Sequence, residues 1–244
     1  TYLCENPGCM DPTADNYDPY AIEEDGSCVY SNGSPVCDFE SAIYFDGYTY
    51  DLVAIGDQCW FAENLRNEHY ANGDLIPGEL SYSEWSNTSE GAQAIYANDG
   101  SNLADYGRLY NWYAVDDARG LCPSDWHVPT DGEFMTLEME LGMSESEANG
   151  TGFRGTDQGT QMKASASDSP SWDGTNTSGF SGLAGGYRAI SGHFTLEGYD
   201  GYFWSASAGG ADTWRRVLSG GSTGVSRQIY DYPRGGFSVR CVRD

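Results

Sequence analysis

Alternating apolar and polar positions predict an antiparallel meander early in the chain. Ile43 to Phe45 and Tyr48 to Ile55 repeat with a period of two on either side of Asp46-Gly47, a dipeptide typical of hairpin turns. A second turn at Gly56-Asp57 leads into Cys59 to Phe61. The pattern therefore predicts three consecutive antiparallel strands.

Helical spacing and then short strands follow the meander. Arg108 to Arg119 has apolar residues on one helical face, which predicts a helix. A second helix is predicted behind the capping box Thr130-Asp131-Gly132-Glu133, and it ends at Gly142. The apolar residues that recur there at helical spacing are Phe134, Leu137 and Leu141.

The last hundred residues are rich in glycine and serine, and they predict short strands separated by turns at Ser191-Gly192 and Gly220-Gly221. The predicted strands are Tyr187 to Ile190, Phe203 to Ala206, Trp214 to Leu218 and Val225 to Tyr230. Helices in the first half and a twisted antiparallel sheet in the second predict an α+β domain with long loops.

The chain divides into three parts. Residues 1–30 contain seven acidic residues, three cysteines and no basic residue, so they predict a separate small module. Residues 31–37 are interpreted as a linker because Gly33 and Pro35 disfavour regular secondary structure there. Residues 38–244 are predicted to form the main domain.

The charge is strongly negative and unevenly distributed. A formal net charge of -25 argues against nucleic acid or an anionic membrane surface as partner. The chain contains no run of about 18 apolar residues, so no membrane span is predicted. Six arginines but only two aspartates follow position 214, so this tail carries +4 and the remainder -29. The asymmetry would allow head-to-tail self-association, but the favoured interpretation is that the arginines lie along an aromatic sheet.

Seven cysteines at wide spacings, without a Cys-x-x-Cys pair, favour disulfides over zinc and hence an exported protein.

Several motifs together resemble the Fibrobacter succinogenes major paralogous domain. They are Phe45 to Leu65, Gly107 to Ala114, Cys122 to Thr130, Gly179 to Ser181, Ala184 to Arg188, Tyr202 to Ser207 and Gly236 to Asp244, within roughly residues 38–244. The resemblance implies display at a bacterial surface and a fold like that of C-type lectins and formylglycine-generating enzymes, without a settled activity. Asn67 to Asp105 is longer than this family leads us to expect, which predicts a loop insertion where specificity differs.

Residues Gly8 to Pro19 and Glu24 to Cys28 resemble a short module of exported proteins of marine Bacteroidota. Five acidic residues gather there, and carboxylate oxygens are the ligands that calcium requires. We expect a calcium site built from Asp11, Asp15, Asp18, Glu24 and Asp25. The alternative is a solvated acidic leader that is held only by its disulfide.

Three disulfides are predicted, each closing a separate region: Cys9 with Cys28, Cys37 with Cys59, and Cys122 with Cys241. Cys4 is left over, which suggests either a link between chains or exchange with Cys9 as the partner of Cys28.

The sequence favours binding over catalysis. Gly220-Gly221-Ser222-Thr223-Gly224 matches a hydrolase pattern, but a predicted strand follows it where that pattern needs a helix. An oxidase related to the formylglycine-generating enzymes is the least favoured alternative, because Cys122 and Cys241 have structural positions. Trp172, Trp204 and Trp214 are candidates for stacking on sugar rings, and Trp172 is the best candidate for an exposed ring.

Two non-catalytic hypotheses therefore remain for this exported chain. One is a subunit of an extracellular filament that binds copies of itself, which the charge asymmetry and Cys4 favour. The other is an adhesin that binds a cell-surface glycan or protein, which the aromatic, glycine-rich loops favour.

Overall fold

The N-terminal part of the chain contains a short pair of strands. The computed structural model describes residues 7–12, 14–24, 35–209 and 212–243. Strands β1 (Pro7–Gly8) and β2 (Glu23–Glu24) run parallel to each other. The backbone amide of Asp18 donates to the carbonyl oxygen of Cys9 at 2.9 Å and closes the loop between them. That residues 1–30 form a separate module stays a prediction.

The predicted meander is present and forms a four-stranded sheet with the end of the chain. Its order is β14-β5-β4-β3, and every neighbouring pair is antiparallel. The strands are β3 (Ala42–Phe45), β4 (Tyr48–Ile55), β5 (Gln58–Phe61) and β14 (Val242–Arg243). The alternating pattern located the first three strands correctly.

The segment after the meander carries short elements. They are a 3-10 helix at Tyr96–Asn98 and the elements α1 (Tyr82–Asn87), β6 (Gln93–Ile95), α2 (Asn102–Tyr106), β7 (Arg108–Tyr110) and α3 (Trp112–Val115). The helix predicted over Arg108 to Arg119 is confirmed only at Trp112–Val115, and it is wrong for the first three and the last four residues. Residues 108–110 pair with β6 as an antiparallel strand, and this tertiary pairing overrides the helical spacing.

The second predicted helix is confirmed together with its cap. The side chain of Thr130 accepts from the amide of Glu133, and the carboxylate of Glu133 accepts from the amide of Thr130. The elements that follow the cap are α4 (Asp131–Glu140), α5 (Glu145–Ala148), β8 (Gly152–Arg154) and α6 (Gln158–Met162).

The second half of the chain builds a six-stranded sheet in the order β10-β9-β11-β12-β13-β8. Its remaining strands are β9 (Gly185–Arg188), β10 (Phe194–Glu197), β11 (Asp200–Gly209), β12 (Asp212–Ser219) and β13 (Val225–Tyr230). All pairs are antiparallel except β9 with β11. The α+β class is therefore confirmed.

Two disulfides join distant parts of the domain. Cys37 bonds Cys59 and Cys122 bonds Cys241, as predicted, and they are compatible with an extracellular protein. Cys9 is also disulfide-bonded, whereas Cys28 and Cys4 lie outside the described residues. No helix within the described ranges has the length and apolarity needed to cross a membrane.

A cluster of charged side chains is buried between α4 and the large sheet. Glu138, which is 0% exposed, accepts from Arg216 at 2.7 Å and also from Arg154. Asp131 accepts from Arg216 at 2.6 Å and from Arg227. Each charge thus has an opposite charge and directed hydrogen bonds, which offset the cost of taking it out of water.

The basic tail is internal, which overturns its interpretation as a surface for self-association. Arg216 and Arg240 are 0% exposed and Arg227 is 8% exposed. Arg215 lies 4.4 Å from the ring centre of Tyr230, and Arg243 is paired with Asp38. The favoured interpretation, arginines packed on an aromatic sheet, is the one that is confirmed for this region.

The segment 67–105, which is predicted to be an insertion and is referred to by that name, is docked against the second half. Trp85, fully buried in α1, donates from its indole nitrogen to the carbonyl of Arg234 at 2.8 Å. The guanidinium of Arg188 lies 4.2 Å above the Trp85 ring and donates to the carbonyl of Leu80 at 2.6 Å. Arg234 also donates to the carbonyl of Ser86. The insertion is therefore a packed part of the domain.

Removing one buried carboxylate should be costly. We expect Glu138→Gln to lower the free energy of unfolding by roughly 3–5 kcal/mol, because Arg154 and Arg216 would stay buried without a counter-charge. Urea denaturation measures this. The exposed Glu140 on the same helix is the control, and Glu140→Gln should change stability by less than about 0.5 kcal/mol. Equal effects of the two substitutions would contradict the structural role of the cluster.

Stability should also fall in acid. Burial alone raises the pKa of Asp131, but the hydrogen bond from Arg227 and the charge of Arg216 outweigh it and leave that pKa below its usual value. The stabilisation is present above the unfolded-state pKa near about 4 and is lost as the pH falls through the lower folded-state pKa. Asp131→Asn should flatten the loss of stability that urea denaturation measures between about pH 5 and pH 2. The exposed control Asp57→Asn should leave the slope of stability against pH unchanged. An unchanged slope in Asp131→Asn would contradict the stabilising role of the Asp131 carboxylate.

Trp85 should hold the insertion in place. Trp85→Ala should lower the free energy of unfolding by about 3–5 kcal/mol and raise amide hydrogen exchange in residues 80–96, because a buried ring and its hydrogen bond are lost. Tyr82→Ala, on the exposed side of the same helix, should cost about 1 kcal/mol or less. Unchanged exchange in residues 80–96 of Trp85→Ala would contradict the docking.

Candidate functional site

Three cavities that share lining residues lie side by side where the insertion meets the meander, and we call them together the insertion groove. Cavity A has a volume of about 410 Å³, cavity B about 430 Å³ and cavity C about 330 Å³. Cavities A and B share Tyr48, Arg66 and Ala104, and cavities B and C share Glu68 and Arg108, among others. The groove therefore runs along the segment that the sequence marked as an insertion.

Cavity A is built from three separate parts of the chain. Strand β4 supplies Tyr48 and Asp51, the segment 62–66 after β5 follows, and α2 of the insertion supplies Asp105. The opposite wall is the loop 168–170 of the second half. The backbone at Gly107 approaches the carbonyl of Leu65 so closely that a Cβ there would lie 2.8 Å from it, so a glycine is needed.

A hydrogen-bonded trio stands between cavities A and B. Glu63 accepts from the hydroxyl of Tyr48 at 2.7 Å and from Arg66 at 3.0 Å, and the guanidinium of Arg66 lies 4.0 Å from the Tyr48 ring centre. Burial and the hydrogen bond to Glu63 raise the pKa of Tyr48 to about 12, so its hydroxyl stays protonated. The Nε atom of Arg66 is buried and has no acceptor among the described residues. Arg66 is therefore held in place by the carboxylate of Glu63 and the ring of Tyr48.

The other carboxylates of cavity A differ in how they are held. Asp168 accepts from the amide of Ser165 at 2.6 Å and from Asn176, and these bonds keep the pKa of Asp168 below its usual value. Asp51 and Asp105 are exposed, and their carboxylates accept no hydrogen bond within the described part of the chain. Cavity A therefore offers acceptors that are still open.

Arg240 supports the floor of cavity A from the core. It is 0% exposed and donates to the side-chain oxygen of Asn64 at 2.8 Å and to the carbonyls of Phe180 and Ser181 at 2.7 and 2.9 Å. Asn64 and Ser181 both line the cavity. Burial lowers the pKa of Arg240. This arginine fixes the strand ends that shape the site, so we treat it as a positioning residue.

Cavities B and C carry less net negative charge than cavity A. In cavity B, His69 Nδ1 lies 2.9 Å from Asp46 Oδ1, and Arg108 is paired with Glu68. Arg108 also donates to the side chain of Gln93 at 2.8 Å, which lines cavity C. The His69–Asp46 pair connects the insertion to the meander, and the contacts of Arg108 connect the insertion to β7. Cavity A is the acidic end of the groove.

The three tryptophans predicted as sugar-stacking residues do not lie in this groove. Trp204 is 0% exposed and donates to the carbonyl of Tyr110 at 2.7 Å, so its assignment as a ligand-binding residue is wrong. Trp214 is half-buried with Arg227 3.8 Å from its ring centre. Trp172 is half-buried against the core, with the Lys163 amine 5.3 Å from its ring centre, so the exposed ring predicted there is also wrong.

The calcium site stays a prediction. Within the described residues, no group of three His, Cys, Asp or Glu side chains is placed to hold a metal ion. Asp11, Asp15 and Asp18 are described, and Asp18 Oδ1 accepts from the amide of Tyr20. Asp25 and the side chain of Glu24 lie outside the described residues.

Sequence reasoning singled out the segment Asn67 to Asp105, whose status as an insertion stays a prediction, but missed the residues opposite it. Tyr48, Asp51 and Glu63 lie within the motif Phe45 to Leu65, and Arg66 follows it directly, so the local pattern does not mark them as site residues. Their proximity to Asp168 is a property of the tertiary fold, and no local spacing signals it.

Comparison with known proteins agrees with the resemblance noted in the sequence. The family model of the Fibrobacter succinogenes major domain matches residues 53–243. No curated protein and no solved structure matches the chain at a significant level. Because the matched residues make up well over half of its length, the chain belongs to the Fibrobacter succinogenes major domain family.

Proposed function

We propose that the protein is an exported, non-catalytic surface protein that binds a glycan in the insertion groove. The observation that carries this proposal is the groove itself: an open, preformed trough whose walls present hydrogen-bonding side chains. Carboxylates, an arginine and a serine are the groups that bind sugar hydroxyls, because a hydroxyl both donates and accepts. The lectin-like fold implied by the sequence resemblance is part of this proposal.

The rigidity of the groove supports binding over loop adaptation. Trp85 and Arg188 hold α1 against the second half, and the pair β6–β7 ties the insertion to the strand that follows it. A site that is formed before the ligand arrives loses less conformational entropy on binding.

The competing functions have less support. The filament hypothesis rested partly on an exposed basic tail, and Arg216, Arg227 and Arg240 are buried. The oxidase alternative requires free thiols, and Cys122 and Cys241 are bonded to each other. Ser222 of the hydrolase-like pattern lies between strands β12 and β13, without the helix that this pattern requires.

A substitution that fills the groove tests the proposal. Ala104 is exposed on α2 and lines cavities A and B, so Ala104→Trp should block the groove without disturbing the core. Ala118→Trp, at an exposed position away from the groove, is the matched control. On a glycan array followed by calorimetric titration, we expect a binding glycan whose affinity falls about tenfold or more in Ala104→Trp only.

Binding that survives Ala104→Trp would place the glycan elsewhere and contradict the proposed site. No binding to any glycan on the array would contradict the proposed function.

A further inference from the structure

Cavity C contains a buried side-chain amide that uses only its oxygen. Gln93 is 5% exposed, and its Oε1 accepts from Arg108 at 2.8 Å. Because a guanidinium can only donate, this hydrogen bond fixes which end of the amide is the oxygen and which is the nitrogen. The nitrogen, Nε2, carries two N–H groups and donates to none of the described residues. Gln93 therefore has a donor to offer.

Gly78 keeps the space in front of this donor open. A Cβ at position 78 would lie 2.1 Å from Gln93 Nε2, and both residues line cavity C. The backbone of Gly78 is not in the left-handed region, so the close approach of the amide, and not a turn, makes glycine necessary there. Arg66 Nε is sealed from solvent, whereas Gln93 Nε2 retains accessible surface. A ligand in cavity C can therefore reach the Gln93 amide.

Apolar side chains lie beside the amide. Ile95 follows Gln93 by two residues on β6, so both side chains project from the same face of that strand. Ile95 is half-buried and Leu75 is 63% exposed, and both line cavity C. The cavity thus combines a hydrogen-bond donor with apolar surface that a ligand can cover.

The charges of cavity C disfavour an anionic ligand. Glu68 and Glu79 belong to its lining, and Arg108, the one basic residue of that lining, is already bound to Glu68 and Gln93. A carboxylate would have to approach these two like charges to accept from Gln93 Nε2. The acceptor that fits is a neutral carbonyl, and the apolar wall suits a small alkyl group next to it. An acetamido group combines the two.

We infer that cavity C binds the acetamido group of an N-acetylhexosamine within a glycan. Its carbonyl oxygen accepts from Gln93 Nε2, and its methyl group packs against Ile95 and Leu75. The rest of the glycan extends into cavity B, which shares Gly100 and Arg108 with cavity C. This inference rests on the proposed glycan-binding function and goes beyond it by naming the substituent that the groove recognises.

Two neutral oligosaccharides of equal length and the same linkage provide the test: an oligomer of N-acetylglucosamine and an oligomer of glucose. They differ only in the acetamido group, so net charge plays no part in the comparison. Calorimetric titration of the full chain should give an affinity about tenfold or more higher for the N-acetylglucosamine oligomer. A sugar with a hydroxyl in place of the acetamido group leaves the apolar wall in contact with water.

Two substitutions assign this preference to cavity C. Gly78→Ala fills the space in front of Gln93 Nε2, and Gln93→Glu keeps the acceptor for Arg108 but removes the donor. Each should lower the affinity for the N-acetylglucosamine oligomer about tenfold. Gly132→Ala is the matched control, because Gly132 is exposed on α4 outside the cavity and a Cβ there meets nothing closer than 3.8 Å. It should retain wild-type affinity.

Nuclear magnetic resonance follows the amide itself. The side-chain amide signal that disappears in Gln93→Glu should shift when the wild-type chain is titrated with the N-acetylglucosamine oligomer.

The outcomes separate this inference from the function on which it rests. Equal affinity for the two oligomers, a Gln93 amide signal that does not shift, or full affinity in both Gly78→Ala and Gln93→Glu would overturn the inference. The same holds if neither oligomer binds. In each case the glycan-binding function stands as long as another glycan on the array binds and Ala104→Trp weakens it. A blank array contradicts both.

Discussion

The fold depends on arginines that turn inward to bind the backbone of its loops. A domain with short helices and long connections leaves many carbonyl oxygens without a partner in a helix or sheet, and a buried carbonyl without a donor is costly. Eight of the 12 basic side chains donate to backbone carbonyls. Arg240 alone ties the carbonyls of Phe61, Phe180 and Ser181 together. The planar guanidinium suits this role because it presents several donors in fixed directions.

This use of arginine has an electrostatic consequence outside the core. Each cation that supports a loop from within is withdrawn from the surface, while most carboxylates remain in contact with water. The acidic exterior and the acidic end of the groove thus share one structural origin. Arg240 illustrates the link, since it is fully buried yet holds Asn64 and Ser181, two residues of the cavity floor.

Local patterns predicted local structure and little beyond it. The turns around β4 and the capping box at Thr130 were predictable because neighbouring residues determine them. Arg108 to Tyr110 was misassigned as helix because the spacing of its own apolar residues is helical. Its pairing with β6, which lies in the insertion, is not visible in that spacing. Trp204 was misjudged because burial of an aromatic ring depends on distant neighbours. The groove combines Tyr48, Ala104 and Asp168, so only the tertiary fold reveals it.

Chemical modification of arginine tests the inward placement most directly. Phenylglyoxal reacts with accessible guanidinium groups, and mass spectrometry of the digested chain gives a rate for each arginine. The structure predicts that Arg188, Arg216 and Arg240 are protected in the native chain and react only after unfolding, whereas Arg119, with 37% of its side chain exposed, reacts first. Modification of Arg240 in the native chain as fast as Arg119 would contradict the account.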